Sequence, residues 1–161
     1  GLGADRPTVG VILGARGRKQ WPRDRFLELV ERLQAPGHLA VVVFGGPDEQ
    51  GELRALAARF AHQVVVAPPL SVRDFAARLA RCTLLVTPDT GPMHLAAAVH
   101  VPTVAVFRAA PSIYYAPQGS LHRAVQVNGT GDVSAVLAAV TETLERVAAG
   151  TTTAGSASPR V

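Results

Sequence analysis

The sequence predicts an α/β domain: a doubly wound parallel sheet of about six strands with helices on both faces. Three observations carry this. Short β-branched apolar runs recur along the chain at 8–13, 39–44, 63–67, 83–87, 102–107 and 123–127. They are continuous rather than alternating, as in strands covered on both faces. Between them lie segments with apolar residues at three- and four-residue spacing, near 22–34, 48–61, 71–81, 91–99 and 132–149, the period of a helix with one buried face. Strands alternating with helices imply βαβ units and a parallel sheet. Right-handed crossovers then leave few topologies. In such sheets a ligand sits beyond the carboxyl ends of the strands, so the residues just after each strand carry the functional information.

The bulk composition sets bounds. The 161 residues suffice for one well-buried domain. With 48% hydrophobic and 17% charged residues the chain is globular. No apolar run reaches membrane-spanning length, and no charged-then-apolar leader opens the chain. The single cysteine, Cys82, excludes an internal disulfide framework and fits a reducing, cytoplasmic compartment. The formal charge of +4 and pI near 10.2 favour anionic partners: nucleotides, phosphorylated lipids or nucleic acid. The cations are scattered and aromatics are few, which argues against nucleic acid. Residues 1–7 read as a linker with no initiator methionine, so a piece of a longer chain is expected, with the domain at 8–149. The Thr/Ser/Ala/Gly-rich stretch 150–161 reads as a flexible tail.

The first run, TVGVIL, is followed by GARGRKQWP, Gly14 to Pro22. Two glycines and three cations surround the turn, and Pro22 suits a first helical turn. Lys19, Arg16 and Arg18 would neutralise a diphosphate; equally, they make a solvated basic loop with Trp21 packed on the sheet edge. In the helical segment that follows, Phe26, Leu29, Val30 and Leu33 form the apolar face, and Asp24 and Glu28 suit the helix dipole.

The second run, LAVVVF, leads into Gly45-Gly46-Pro47-Asp48-Glu49. The glycines permit a sharp turn or close approach of a ligand. A carboxylate here would accept hydrogen bonds from a ribose diol; alternatively, Asp48 and Glu49 only complement the next helix dipole. After the third run, APPLS (67–71) forms a proline-stiffened loop able to flank a flat base, and Ser71 suits an N-cap. Cys82, just before the fourth run, reads as core.

The fourth run ends in VTPDTGPMHLAAAV, Val86 to Val99. Pro88 forces an extended approach, and Thr90 or Asp89 can cap the helix. The free amides of Thr90, Gly91 and Met93 would stand at the positive end of a helix dipole, a ready anion site. Gly91 removes a side chain where the anion would approach. Asp89 would repel a phosphate and is better matched to neighbouring sugar hydroxyls. His94, one turn in, would donate to a phosphate or pack as a buried histidine. The fifth and sixth runs precede a final helix that Asp132 would cap.

GxGxxG, GxxxxGK[ST], HExxH and GxSxG are all absent from the sequence, which leaves P-loop, dinucleotide, zinc-protease and serine-elbow readings unsupported. Three motifs remain: Gly14-Ala15 with Lys19, Trp21 and Pro22; GGPxE at 45–49; and DTGPMHLAAA at 89–98. Taken in order, they resemble the C-terminal half of the ADP-heptose:lipopolysaccharide heptosyltransferases, glycosyltransferase family 9. The resemblance covers roughly 8–127, and the third motif is the most specific. It implies a GT-B fold of two Rossmann-like domains, with the nucleotide-sugar donor bound by this half and the acceptor and catalytic base supplied by an N-terminal half.

The implied roles are Lys19 and Arg16 against the diphosphate, together with Thr90, Gly91, His94 and the Met93 backbone; Glu49 on the ribose; Leu70 at the adenine; and Asp89 on the donor sugar. The reaction implied is inverting transfer of heptose from ADP-heptose to a lipopolysaccharide-core or related glycan, in the cytoplasm or at the inner face of the membrane. The partners implied are the nucleotide sugar, the other GT-B half and a glycolipid acceptor. No catalytic base is expected here, and none of the motifs binds a cofactor or metal; no Asp-x-Asp occurs. The fragment alone is expected to be inactive. Two departures stand out: Arg16 occupies a position where the family often has Ser or Thr, and Arg108-Ala109-Ala110-Pro111 replaces Gly-Pro-Thr after PTVAVF. The rival reading is a non-catalytic nucleotide-binding or regulatory module.

Overall fold

The structure, a computed structural model, describes residues 6–60, 63–108, 116–128 and 133–154, with side chains as far as 150. Its elements are β1 (Thr8–Ile12), α1 (Arg23–Gln34), β2 (Ala40–Phe44), α2 (Gln50–Arg59), β3 (Val64–Val66), α3 (Val72–Leu79), β4 (Leu84–Pro88), α4 (Gly91–Ala98), β5 (Thr103–Phe107), β6 (His122–Gln126) and α5 (Val133–Ala154). The strands form one sheet in the order β3-β2-β1-β4-β5-β6, with every neighbouring pair parallel. This is the doubly wound Rossmann order, and the direction of winding reverses between β1 and β4.

The period-two geometry of the strands sorts their side chains into two cores. Val9, Val11, Val41, Val43, Leu84, Val86, Val104 and Val106 face Phe26, Leu29, Val30 and Leu33 of α1, Leu53 and Leu56 of α2, and Val136 and Val140 of α5. Ile12, Val42, Phe44 and Leu85 face Leu79 of α3 and Ala96 of α4, with Cys82 among them. Each such side chain removed from water contributes about 1.5–3 kcal/mol. β1, β4 and β5 are buried along their whole length, which explains why each is apolar but for a single buried threonine. The edge strands β3 and β6 are partly exposed, and β6 accordingly carries His122, Arg123 and Gln126.

Local chemistry sets the helix ends. Pro22 is the N-cap of α1, with Asp24 in the first turn. Ser71 caps α3 by accepting the Asp74 N–H at 3.1 Å. Thr90 occupies the N-cap position of α4, but its hydroxyl makes no capping bond to the helix; it donates to the Pro88 carbonyl at 3.3 Å instead. The expectation that Thr90 or Asp89 would cap is therefore corrected: the hydroxyl is turned back to the strand. α5 runs to Ala154, past the expected start of a tail at 150, since extending a formed helix costs far less than starting one. Asp132, expected as its cap, lies outside the described residues, as do 1–5 and 155–161.

Candidate functional site

The carboxyl ends of β1, β2 and β4 open on one cleft of about 530 Å³. It lies where the strand order reverses, the place such sheets bind ligands. Gly14, Ala15, Arg16 and Lys19 line it from the loop after β1, Gly45 to Glu49 from the loop after β2, and Asp89 to Pro92 from the loop after β4. The remaining wall is apolar: Phe44, Ala67, Pro68, Leu70, Val72 and Phe75.

The loop after β1 leaves the strand through Gly14 at φ +107°, a conformation L-residues avoid. A Cβ there would also lie 2.5 Å from Glu49 Oε1, so a side chain is excluded twice over. A short 3-10 turn at Gly17–Lys19 follows, none of it buried. From it the Lys19 ammonium reaches Asp89, Nζ to Oδ2 2.7 Å, with 50% of the lysine and 8% of the aspartate side chain exposed. Asp89 Oδ2 accepts no hydrogen bond of good geometry, so this short contact is chiefly Coulombic. Arg16 lies 3.9 Å from Asp48, both strongly exposed. Trp21 is buried in the core rather than at the sheet edge.

After β2, the Gly46 N–H donates to Glu49 Oε2 at 2.7 Å, and Gln50 Nε2 donates to the Gly46 carbonyl at 3.0 Å. Glu49 thus closes its own turn through one oxygen, while the other lies against Gly14 at the cleft wall. Leu70, expected at the base, does line the cleft and is half-buried.

Before α4, Thr87 donates to the Pro88 carbonyl at 2.9 Å and stands 3.3 Å from the Thr90 hydroxyl. Gly91 is exposed, and a Cβ on it would meet nothing within 4 Å. Its φ is not positive, so its contribution is space rather than backbone freedom. Two expectations need correction. The Met93 amide is not free: it donates to the Thr90 carbonyl at 3.0 Å, closing the first turn, and its side chain is fully buried. His94 is exposed, so it is not a packed core histidine, and among the described residues the cleft lining stops at Pro92, two residues short of it.

The structure also brings in residues the sequence reading passed over. Phe44 and Phe75 meet edge to face, with ring centroids 5.3 Å apart, and Val72 is 75% exposed at the rim. Phe44 is the last residue of β2, whereas attention to residues after each strand misses the last one within it. Among the described residues no three His, Cys, Asp or Glu side chains gather as metal ligands, and no helix is long and apolar enough to cross a membrane.

Comparison with known proteins adds to this geometry. The family profile of glycosyltransferase family 9 (heptosyltransferase) matches residues 1–136. Lipopolysaccharide heptosyltransferase 1 of Escherichia coli K12 is 34% identical over 108 residues, which is 66% of this chain and 34% of that protein. Lipooligosaccharide heptosyltransferase 2 of Haemophilus influenzae is 32% identical over 120 residues, 64% of this chain and 32% of that protein. The solved E. coli heptosyltransferase WaaC with ADP superposes with a TM-score of 0.75 at 28% identity, covering 88% of this chain and 46% of that one. The matched segment therefore spans about a third of the length of these curated relatives.

Proposed function

The chain belongs to glycosyltransferase family 9, the heptosyltransferase family, and from that premise we propose that residues 8–149 form the donor-binding half of a GT-B enzyme that transfers heptose from ADP-heptose, with inversion, to a lipopolysaccharide-core or related glycan. The observation that carries this is the convergence of the Lys19 ammonium and the N-terminus of α4 on one cleft beside a buried carboxylate. A cation and helix amides favour a diphosphate. The apolar wall around Leu70 and Phe75 suits a base, and Glu49, which lines the same cleft, would accept from a ribose hydroxyl. Support comes from a relative solved with ADP and from one solved with ADP-2-deoxy-2-fluoro heptose, at 28% and 29% identity.

In this reading an acceptor hydroxyl attacks the anomeric carbon, and the bond to the nucleoside diphosphate breaks. Charge grows on the leaving phosphate, where Lys19, Arg16 and the α4 amides of Thr90 and Gly91 stabilise it. Asp89 would hold sugar hydroxyls. The base that takes the acceptor proton, and the glycolipid itself, belong to the other half of the enzyme, which works at the cytoplasmic face. The nucleotide sugar is substrate, not cofactor. A thermal-shift panel of ADP, GDP, UDP, AMP and adenosine tests the site: ADP should raise the melting temperature well beyond adenosine. Equal shifts from the two, or none from any diphosphate, would overturn the assignment.

A further inference from the structure

Arg108 is the first residue beyond β5, and β4 lies between β5 and β1 in the sheet. Its Nη1 nevertheless donates to the main-chain carbonyl of Gln20. Gln20 directly follows Lys19 and ends the Gly17–Lys19 turn. The bond therefore spans the end of β4 and ties the loop after β5 to the loop that carries the lysine.

Apart from the Lys19–Asp89 contact and the buried Trp21 that follows Gln20, that turn has little else to hold it. None of its residues is buried. Its own backbone bonds are local and long, Lys19 N to the Arg16 carbonyl at 3.3 Å and Gln20 N to the Gly17 carbonyl at 3.2 Å. The Arg16–Asp48 pair is 3.9 Å apart and exposed at both ends, so solvent screens it. In a backbone tethered this loosely the lysine can shift once an anion competes with Asp89 for it, and displacement by about an ångström weakens a charge-assisted contact severely. A guanidinium on a carbonyl is charge-assisted, and its planar fork fixes direction as a lysine cannot.

We infer that Arg108 is a positioning residue: it holds the Gln20 carbonyl and thereby presents the Lys19 ammonium to an anion in the cleft. Among the described residues Arg108 is not part of the cleft lining, so it acts through Lys19. The inference rests on the proposed reading of Lys19 as a diphosphate ligand, and it gives a role to an arginine that stands where the family pattern has glycine.

A double-mutant cycle with ADP as the probe and adenosine as the control tests it by calorimetry. Arg108→Ala should weaken ADP about fivefold, the size of coupling usual within one network, and leave adenosine unchanged. In a Lys19→Ala background the same substitution should have no further effect on ADP. A loss of equal size in both backgrounds would overturn the inference while leaving the Lys19 reading intact. So would parallel losses for ADP and adenosine, which mark a general structural role. If Lys19→Ala alone leaves ADP binding unchanged, the Lys19 reading and this inference fall together. Should Arg108→Ala not fold, Arg108→Lys runs the same cycle: it keeps the charge and loses the fork, so undiminished ADP binding would overturn the inference.

Discussion

Lys19 Nζ stands 2.7 Å from Asp89 Oδ2 across the switch point between β1 and β4, with the carboxylate almost wholly buried and the ammonium half exposed. A buried carboxylate is costly without a counter-charge, and an acid inside an anion site repels the anion. One lysine answers both difficulties. With three N–H donors it can hold the carboxylate and still offer hydrogens to a phosphate. The pair is thus neutral in itself, and α4's N-terminus adds a second attraction for an anion beside it.

Removing the lysine should therefore act on the phosphates and not on the nucleoside. Lys19→Ala is expected to weaken ADP roughly ten- to a hundredfold, since a hydrogen bond to a charged group is worth about 1.5–3 kcal/mol. Adenosine should bind unchanged. Stability should fall as well, because Asp89 is left buried without its counter-charge. Calorimetry with both ligands checks this, and equal losses would sink the assignment.

Two glycines of the cleft should respond in opposite ways. At Gly14 both the φ of +107° and the 2.5 Å approach of a Cβ to Glu49 Oε1 oppose a side chain. Gly14→Ala should cost about 1–3 kcal/mol of stability, the usual cost of a strained backbone position. At Gly91 the backbone is ordinary and the space open. Gly91→Val should fold with a near-native melting temperature yet lose ADP binding, because its side chain fills the approach to the helix amides. A Gly91→Val protein that binds ADP normally would show that no anion reaches this helix end.

Burial pushes the Cys82 thiol up from 9.0 to about 11. The folded state thus binds this proton more tightly than the unfolded state. The associated stability is complete below pH 9 and declines as the pH rises from 9 to about 11, at up to ~1.4 kcal/mol per pH unit. Denaturant melts across that window should show a shallower decline for Cys82→Ala than for the native chain. A thiol reagent at pH 8 should modify the native protein slowly and the unfolded protein fast.

How much of this was legible in the sequence follows from the physics of each part. The strands announced themselves because β1, β4 and β5 are buried on both faces and carry no charged residue, their only polar side chains being the threonines Thr8, Thr87 and Thr103. That Lys19, Glu49 and Asp89 line one cleft was legible because each lies in the loop after a strand's carboxyl end, where such sheets open. Tertiary geometry hid the rest. α4 ends at Ala98 with His100 at φ 59°, a position where sequence rules look for glycine, so its last residue was misjudged by one. The contact from Arg108 to the Gln20 carbonyl joins loops distant in sequence, and no local pattern reports it. The Met93 amide looked free because the rule for helix N-termini counts donors within the helix and overlooks the Thr90 carbonyl just before it.

Asp89→Asn separates the sugar-contact role from a merely structural one. Asparagine keeps the shape and one acceptor oxygen, and it removes the negative charge that Lys19 now neutralises. The released ammonium can then turn wholly to the phosphates, so ADP should bind this chain as well as before or more tightly. Losing the ion pair should cost the fold little, because asparagine spares the site a buried charge. The complete enzyme should behave differently. A carboxylate accepts two hydroxyls strongly, whereas the amide offers one weaker acceptor and a misplaced donor, so turnover with the sugar donor should fall by about 10²-fold or more if the contact tightens in the transition state. If Asp89 served only to hold the turn before α4, asparagine would be a near-equal substitute, and both ADP affinity and turnover would stay as they were. Unchanged turnover alongside unchanged ADP binding would therefore remove Asp89 from the donor sugar, while tighter ADP binding with lost turnover would fix its charge on the sugar side of the cleft.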